Sequence, residues 1–179
     1  MHSRTAGLFA YDPTMEIRPA TPQDVPAVLP MVAKLCTLHE VWDQAKYGFR
    51  FNVTDMYRGW LTARATDPRS VFIVAERPAS GDALARVVGF LVATIEREIP
   101  IYRLDDYGFI HDVWIDPDYR HEGVGREMVM HAVESFHRLK VSQIRLDTAH
   151  PNDAARALFA SCGFRVSAVE MLHDLGASP

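Results

Sequence analysis

Apolar positions along the chain change period several times, and each change marks an element. Residues 15–18 read as a short strand, after which Thr21 with Pro22 and Asp24 forms a helix start. From there Val25, Val28, Leu29, Val32, Leu35 and Leu38 recur every three or four residues, which predicts a helix to about residue 40 with one buried stripe. A second helix is predicted over 55–64, capped by Thr54, with Met56, Trp60 and Leu61 as its apolar face. Between the helices, residues 39–52 are aromatic and irregular (Trp42, Tyr47, Phe49, Phe51), a candidate wall for a substrate pocket. Runs rich in Val, Ile and Phe over 71–76 and 86–96, separated by a turn-rich segment at 78–82, predict an antiparallel hairpin. Residues 107–115 form a further strand, stopped by Asp116 and Pro117. The period is helical over 123–140 (Val124, Met128, Val129, Ala132, Val133, Phe136, Leu139), extended over 143–147, and helical again over 152–161 up to Gly163. Residues 164–175 supply a last strand or strand pair. The order predicts a three-layer α/β domain whose mixed sheet carries helices on its faces.

Composition narrows the class. At 179 residues, with 48% hydrophobic and 23% charged positions, one globular domain is expected over 15–179, preceded by a loose leader over 1–14. A net charge of −4 and the lack of any long Lys/Arg run argue against a nucleic-acid partner. No stretch approaches the roughly 18 apolar residues of a membrane span. Cys36 and Cys162 form neither a CxxC pair nor a zinc spacing, so they read as buried thiols of a cytoplasmic protein. No metal is expected: His121-Glu122 lacks the second His of a zincin helix, and His131 and His137 do not share a helical face.

The candidate chemistry lies where the strand over 107–115 meets the next helix. A turn carrying Gly123 and Gly125 feeds straight into the helix, whose first amides lack internal partners and favour an anion, and Arg120 and Arg126 add positive charge on either side. A diphosphate suits such a turn. A Walker A loop is excluded by the missing Gly-Lys-Ser/Thr, and a dinucleotide fingerprint by Met128 where a third glycine is needed.

Arg120-x-x-Gly123-x-Gly125 at this junction, followed by Asn152-x-x-Ala155-x-x-Leu158-Phe159-x-x-x-Gly163-Phe164, resembles the GCN5-related N-acetyltransferase (GNAT) superfamily. The opening Met15-Glu-Ile-Arg-Pro-Ala-Thr-Pro-Gln-Asp24 is similar as well, so the resemblance runs from 15 to 175. It implies a mostly antiparallel mixed sheet and acetyl-CoA as cosubstrate. The pyrophosphate would be held by the amides of His121, Gly123, Val124, Gly125 and Arg126, and the pantetheine arm would pair with the backbone of Val113 and Ile115. Asn152 would hold the far side of the arm, a role compatible with capping the helix after Pro151. The resemblance further implies acetyl transfer to a primary amine.

An alkyl amine with a pKa of ~10.4 is neutral in only about one molecule in 10³ at pH 7, so a base is needed. Asp112 sits in the stretch where relatives often carry an acidic base, and His111 competes with a better native pKa. Strict alternation puts these two on opposite faces of their strand. Glu98, Asp105 and Asp106 are further carboxylates that can act as base or attract a cation. Phe159 stands where many relatives place a tyrosine that protonates the departing thiolate; Tyr119, Tyr107, Ser161 and Cys162 are candidate substitutes. The favoured acceptor is a small-molecule amine such as a polyamine, amino acid or aminoglycoside. A protein or peptide amine is one alternative, and a non-catalytic acyl-CoA-binding domain, favoured by the missing tyrosine, is another. A homodimer through the final strand is also expected.

Overall fold

The computed structural model describes residues 15–79 and 84–176, so the leader at 1–14 and part of the turn at 78–82 lie outside the described residues. Strand β1 (Glu16–Pro19) leads through a 3-10 turn (Pro22–Asp24) into helix α1 (Val25–Trp42), followed by α2 (Val53–Arg64). Three long strands come next, β2 (Ser70–Arg77), β3 (Arg86–Arg97) and β4 (Asp106–Ile115). A second 3-10 turn (Pro117–Tyr119) precedes α3 (Val124–Arg138), then β5 (Ile144–Leu146) and α4 (Asp153–Ser161).

The strands form one sheet in the order β1-β2-β3-β4-β5, antiparallel except for the parallel β4–β5 pair. β2 and β3 are apolar on both faces because both faces are covered. On one side Val74, Phe90, Val92 and Trp114 pack against the α1 stripe and Leu61 of α2. On the other, Ile73, Leu91, Ala93 and Ile110 meet Met128, Val129, Ala132 and Phe136 of α3. The entry to α1 is held by Asp24, whose Oδ2 accepts from the Thr21 amide (2.7 Å) and from Arg18 Nη1 (2.9 Å). These bonds keep the Asp24 carboxyl at about 2, below its usual range, with the Arg18 guanidinium the main cause.

The structure corrects the bounds and existence of the predicted elements at three places. α2 starts at Val53 with Asn52, not Thr54, at its cap position, and its inward face is Tyr57, Trp60 and Leu61 while Met56 is 54% exposed. α1 extends through Trp42, so only the remainder of 39–52 is irregular. The strand expected over 164–175 does not form. Alternation shows which side chains would share a face but not whether a neighbour exists. β5 is only three residues long, and beyond Phe164, which packs on the core, Val166, Val169 and Met171 stay exposed, so the segment has no ladder to join. Glu170 in this segment instead pairs with Lys46 of the α1–α2 loop.

Candidate functional site

β4 carries a bulge at its centre. Val92 lies opposite Asp112 and Ala93 opposite Ile110, so His111 is an extra residue with no partner on β3. A bulge re-aims the side chains that follow it. Here it brings His111 and Asp112 to the same side, which corrects the opposite faces expected from strict alternation. The His111 ring meets Trp60 with centroids 5.1 Å apart, and Asp112 Oδ2 accepts from the Tyr57 hydroxyl at 3.1 Å, Trp60 and Tyr57 both lying on α2.

The bulge also changes which backbone groups face outward. The Gly108 amide donates away from β3, to Gln143 O (2.9 Å), while the Asp116 amide donates to Val88 O (2.8 Å). By alternation from Asp116, the backbone groups of Trp114 and Asp112 face β3, and those of Val113 and Ile115 face away. On that side β5 pairs with Gly108, Phe109 and Ile110, so among the described residues the edge at 113–115 is open. Beyond it the chain turns with His121 at φ 67° and Gly123 at φ 89°. The first rung of α3 is Glu127 N–H to Gly123 O (3.0 Å), so the amides of Val124, Gly125 and Arg126 precede the ladder. A Cβ on Gly123 would meet nothing within 4 Å, whereas one on Gly125 would lie 3.4 Å from Leu158 of α4. Gly123 thus supplies the left-handed turn and Gly125 the close approach of α4.

The other expected cofactor residues sit around this edge. Arg120 Nε donates to Ile115 O (2.9 Å) and its guanidinium lies over Trp114 (4.9 Å), which fastens the turn to the strand end. Arg126 and His121 are exposed on the turn. Asn152 Oδ1 accepts from the Ala155 amide (3.0 Å), so it caps α4 and keeps its NH2 group for a ligand. Phe159 is 8% exposed and packs edge-on against Phe164 (5.6 Å). An open strand edge leading to uncommitted helix amides fits an extended arm that ends in a diphosphate, as acetyl-CoA does.

The face of the strand turned toward α2 carries a cluster of polar groups among aromatics. Asp112 is 8% exposed, and burial pushes its carboxyl up to about 6, with the Tyr57 hydrogen bond pulling the other way. Burial and the Asp112 charge hold the Tyr57 hydroxyl protonated, and burial, helped by Asp112, pushes the neighbouring Cys36 thiol up to about 11. Burial lowers His111 below the usual imidazole value, with Glu96 opposing that shift and Arg64 reinforcing it. His111 Nε2 lies 2.6 Å from Thr94 Oγ1, and Thr94 Oγ1 lies 2.5 Å from Glu96 Oε1. The Phe109 ring closes the group 5.0 Å from His111.

The model of the Acetyltransferase (GNAT) family matches residues 37–164, which include the bulge, the open edge and the turn. The chain belongs to the GNAT acetyltransferase family. Over 64 residues it is 30% identical to the bS18-alanine N-acetyltransferase of Escherichia coli K12, a match spanning 36% of this chain and 43% of the relative's length. A tetramutant of the BH1408 protein of Bacillus halodurans superposes with a TM-score of 0.72 at 21% identity, covering 89% of this chain and 99% of that one. The aminoglycoside 6'-N-acetyltransferase AAC(6')-Ih of Acinetobacter baumannii gives 0.64 at 16% identity, covering 90% and 99%. The last two establish a shared fold.

Within this GNAT fold the expected cofactor residues gather along the β4 edge and the turn, and the side chains of the two expected catalytic residues sit together on the face covered by α2. Of the outlying carboxylates, Glu98 pairs with Arg145 (2.6 Å) and Asp106 with Arg69 (3.3 Å), while Asp105 is exposed. Of the candidate substitute acids, Ser161 is bonded to Leu158 O (2.6 Å), and Tyr107 lies under the Arg145 guanidinium (4.0 Å). Sequence reasoning missed Tyr57, Thr94 and Glu96. The available signals were weak: Tyr57 falls on the stripe of Trp60 and Leu61, and Thr94 is a lone hydroxyl in an apolar strand. Among the described residues no helix is long and apolar enough to cross a membrane, and no cluster of His, Cys, Asp or Glu is arranged to hold a metal.

Proposed function

We propose that this protein moves an acetyl group from acetyl-CoA to the primary amine of a small cationic molecule, by direct attack on the thioester, and that it does so in the cytoplasm. The observation that carries the reading is the bulge at His111. It turns the backbone groups of Val113 and Ile115 to the open edge and puts two polar side chains on the helix-covered face, so cofactor and acceptor can meet at a single strand.

The amides of His121, Gly123, Val124, Gly125 and Arg126 would hold the pyrophosphate, Val113 and Ile115 the arm, and Asn152 its far side. Bound there, acetyl-CoA supplies an activated carbonyl and a thiol leaving group. The chain's own residues do the rest. The buried Asp112 carboxylate and Glu96 favour a cationic acceptor beside Tyr57, Trp60 and Phe109, and the His111–Asp112 pair removes the amine proton. A thiol with a pKa of about 8.5 departs tolerably as an anion, so a phenylalanine at 159 is compatible with turnover.

Two observations favour other readings. The match to a ribosomal-protein alanine acetyltransferase favours a peptide amine, and the absence of a hydroxyl on Phe159 favours an acyl-CoA binder without catalysis. Release of CoA thiol from acetyl-CoA with polyamines, amino acids, aminoglycosides and Ala-initiated peptides separates all three, with a thermal-shift control for cofactor binding. Release with small cationic amines is expected. Release with peptides alone would move the acceptor to protein amines, and cofactor-induced stabilisation without release would support binding alone.

A further inference from the structure

The proton on one histidine follows from its neighbours. Thr94 and Glu96 are two residues apart on β3, so they share a face, and His111 meets them from the bulge. The Thr94 hydroxyl has a single proton, and its oxygen is within hydrogen-bond distance of both Glu96 Oε1 (2.5 Å) and His111 Nε2 (2.6 Å). A carboxylate only accepts, so the hydroxyl proton goes to Glu96, and Thr94 Oγ1 must accept from an N–H on Nε2. A neutral imidazole protonated on Nε2 keeps its lone pair on Nδ1.

We propose that His111 accepts the proton of the attacking amine on Nδ1, and that Thr94 and Glu96 are positioning residues that hold the ring in the tautomer this requires. The inference rests on the acetyl-transfer reading and divides the labour of the polar pair. In the transfer the amine nitrogen bonds to the thioester carbonyl carbon, and the carbon–sulfur bond breaks with its electron pair on sulfur. The proton shed by nitrogen passes to Nδ1 and then to the thiolate, which leaves His111 neutral again. While the ring is charged, its Nε2 lies 3.6 Å from Glu96 Oε1, so the relay stabilises the imidazolium as it forms. Arg64 at the end of α2 opposes that charge, Trp60 and Phe109 contribute only ring contacts, and Asp112 flanks the ring on β4. The His111 side chain is 27% exposed and reachable by an acceptor. Asp112, with Oδ2 on Tyr57, serves as the buried negative charge that attracts the acceptor.

Nitrogen-15 NMR of histidine-labelled protein, free of ligand and assigned with a His111→Gln variant, reads the tautomer directly. A ring protonated on Nε2 is expected in the wild type, a mixture in Thr94→Val, and restoration in Thr94→Ser. A wild-type ring protonated on Nδ1 overturns the proposal. The second arm measures thiol release from acetyl-CoA with spermidine, kanamycin and an Ala-initiated peptide. His111→Gln is expected to lower kcat by about 10²-fold or more with KM for acetyl-CoA nearly unchanged. Glu96→Gln is expected to move the acid limb of kcat to lower pH, because the imidazolium loses its counter-charge. Undiminished kcat in His111→Gln overturns the role of His111 while acetyl transfer stands. No release by the wild type on any of the three amines overturns the transfer reading, and with it the proton-accepting role, whatever the tautomer.

Discussion

The two sides of β4 at residues 111–115 are made of different material. The open edge and the turn beyond it present backbone: the groups of Val113 and Ile115, then the amides at the start of α3. The other side presents side chains drawn from α2, β3 and β4, namely Tyr57, Trp60, Thr94, Glu96, His111 and Asp112. Backbone recognition depends on conformation, so it is set by where glycine permits a turn and where a strand lacks a neighbour. Side-chain chemistry depends on residue identity and on register. The first is therefore sensitive to bulk and to φ, and the second to the loss of single polar atoms.

Substituting the glycines breaks this division most severely. Gly123→Glu places a residue with a Cβ at φ 89°, and Gly125→Glu drives bulk toward Leu158 while adding negative charge to the turn proposed to hold the pyrophosphate. Each is expected to weaken acetyl-CoA by about 10²-fold or more in calorimetric titrations, a loss comparable to removing one or two charge-assisted hydrogen bonds. Asp112→Asn on the other side should leave that affinity nearly unchanged.

The same Asp112→Asn change has a stability signature with a defined sign. Burial raises the folded-state value to about 6 from 3.8, so between these pH values the folded chain binds more protons than the unfolded one. Stability from this group therefore falls as pH rises through that window and stays lower above it. The Asn variant escapes the penalty. It is expected to be more stable than the wild type at pH 8, by about 1–3 kcal/mol, with the advantage gone near pH 4, while turnover falls. Thermal melts at the two pH values test this, and an equal difference at both would remove the buried-carboxylate account.

Phe159→Tyr should have the smallest effect. The ring is buried against Phe164, so a hydroxyl there costs about 1 kcal/mol and is expected to leave kcat within twofold. A large gain in rate would instead show that position 159 reaches the leaving thiolate.

The contrast between the sides also accounts for what could be read from the chain. Gly123, Gly125 and Asn152 announce themselves because a turn and a cap are local: the letters that permit them are contiguous. The bulge at His111 is a property of how β3 and β4 pair, and no residue near 111 signals it, so strict alternation misplaced His111 relative to Asp112. Tyr57 and Asp112 are 55 positions apart, and only the packing of α2 on the sheet brings them together. The alternation over 164–175 failed in the converse way. The local pattern is present, but a strand needs a partner, and β5 is only three residues long.

Residue-resolved amide exchange with and without acetyl-CoA tests the central division most directly. The amides of Val113 and Ile115 and those at the start of α3, from Val124 to Arg126, are expected to gain protection on binding, with no comparable change in α2. Protection confined to α2 or to residues 39–52, with the β4 edge unaffected, would contradict it.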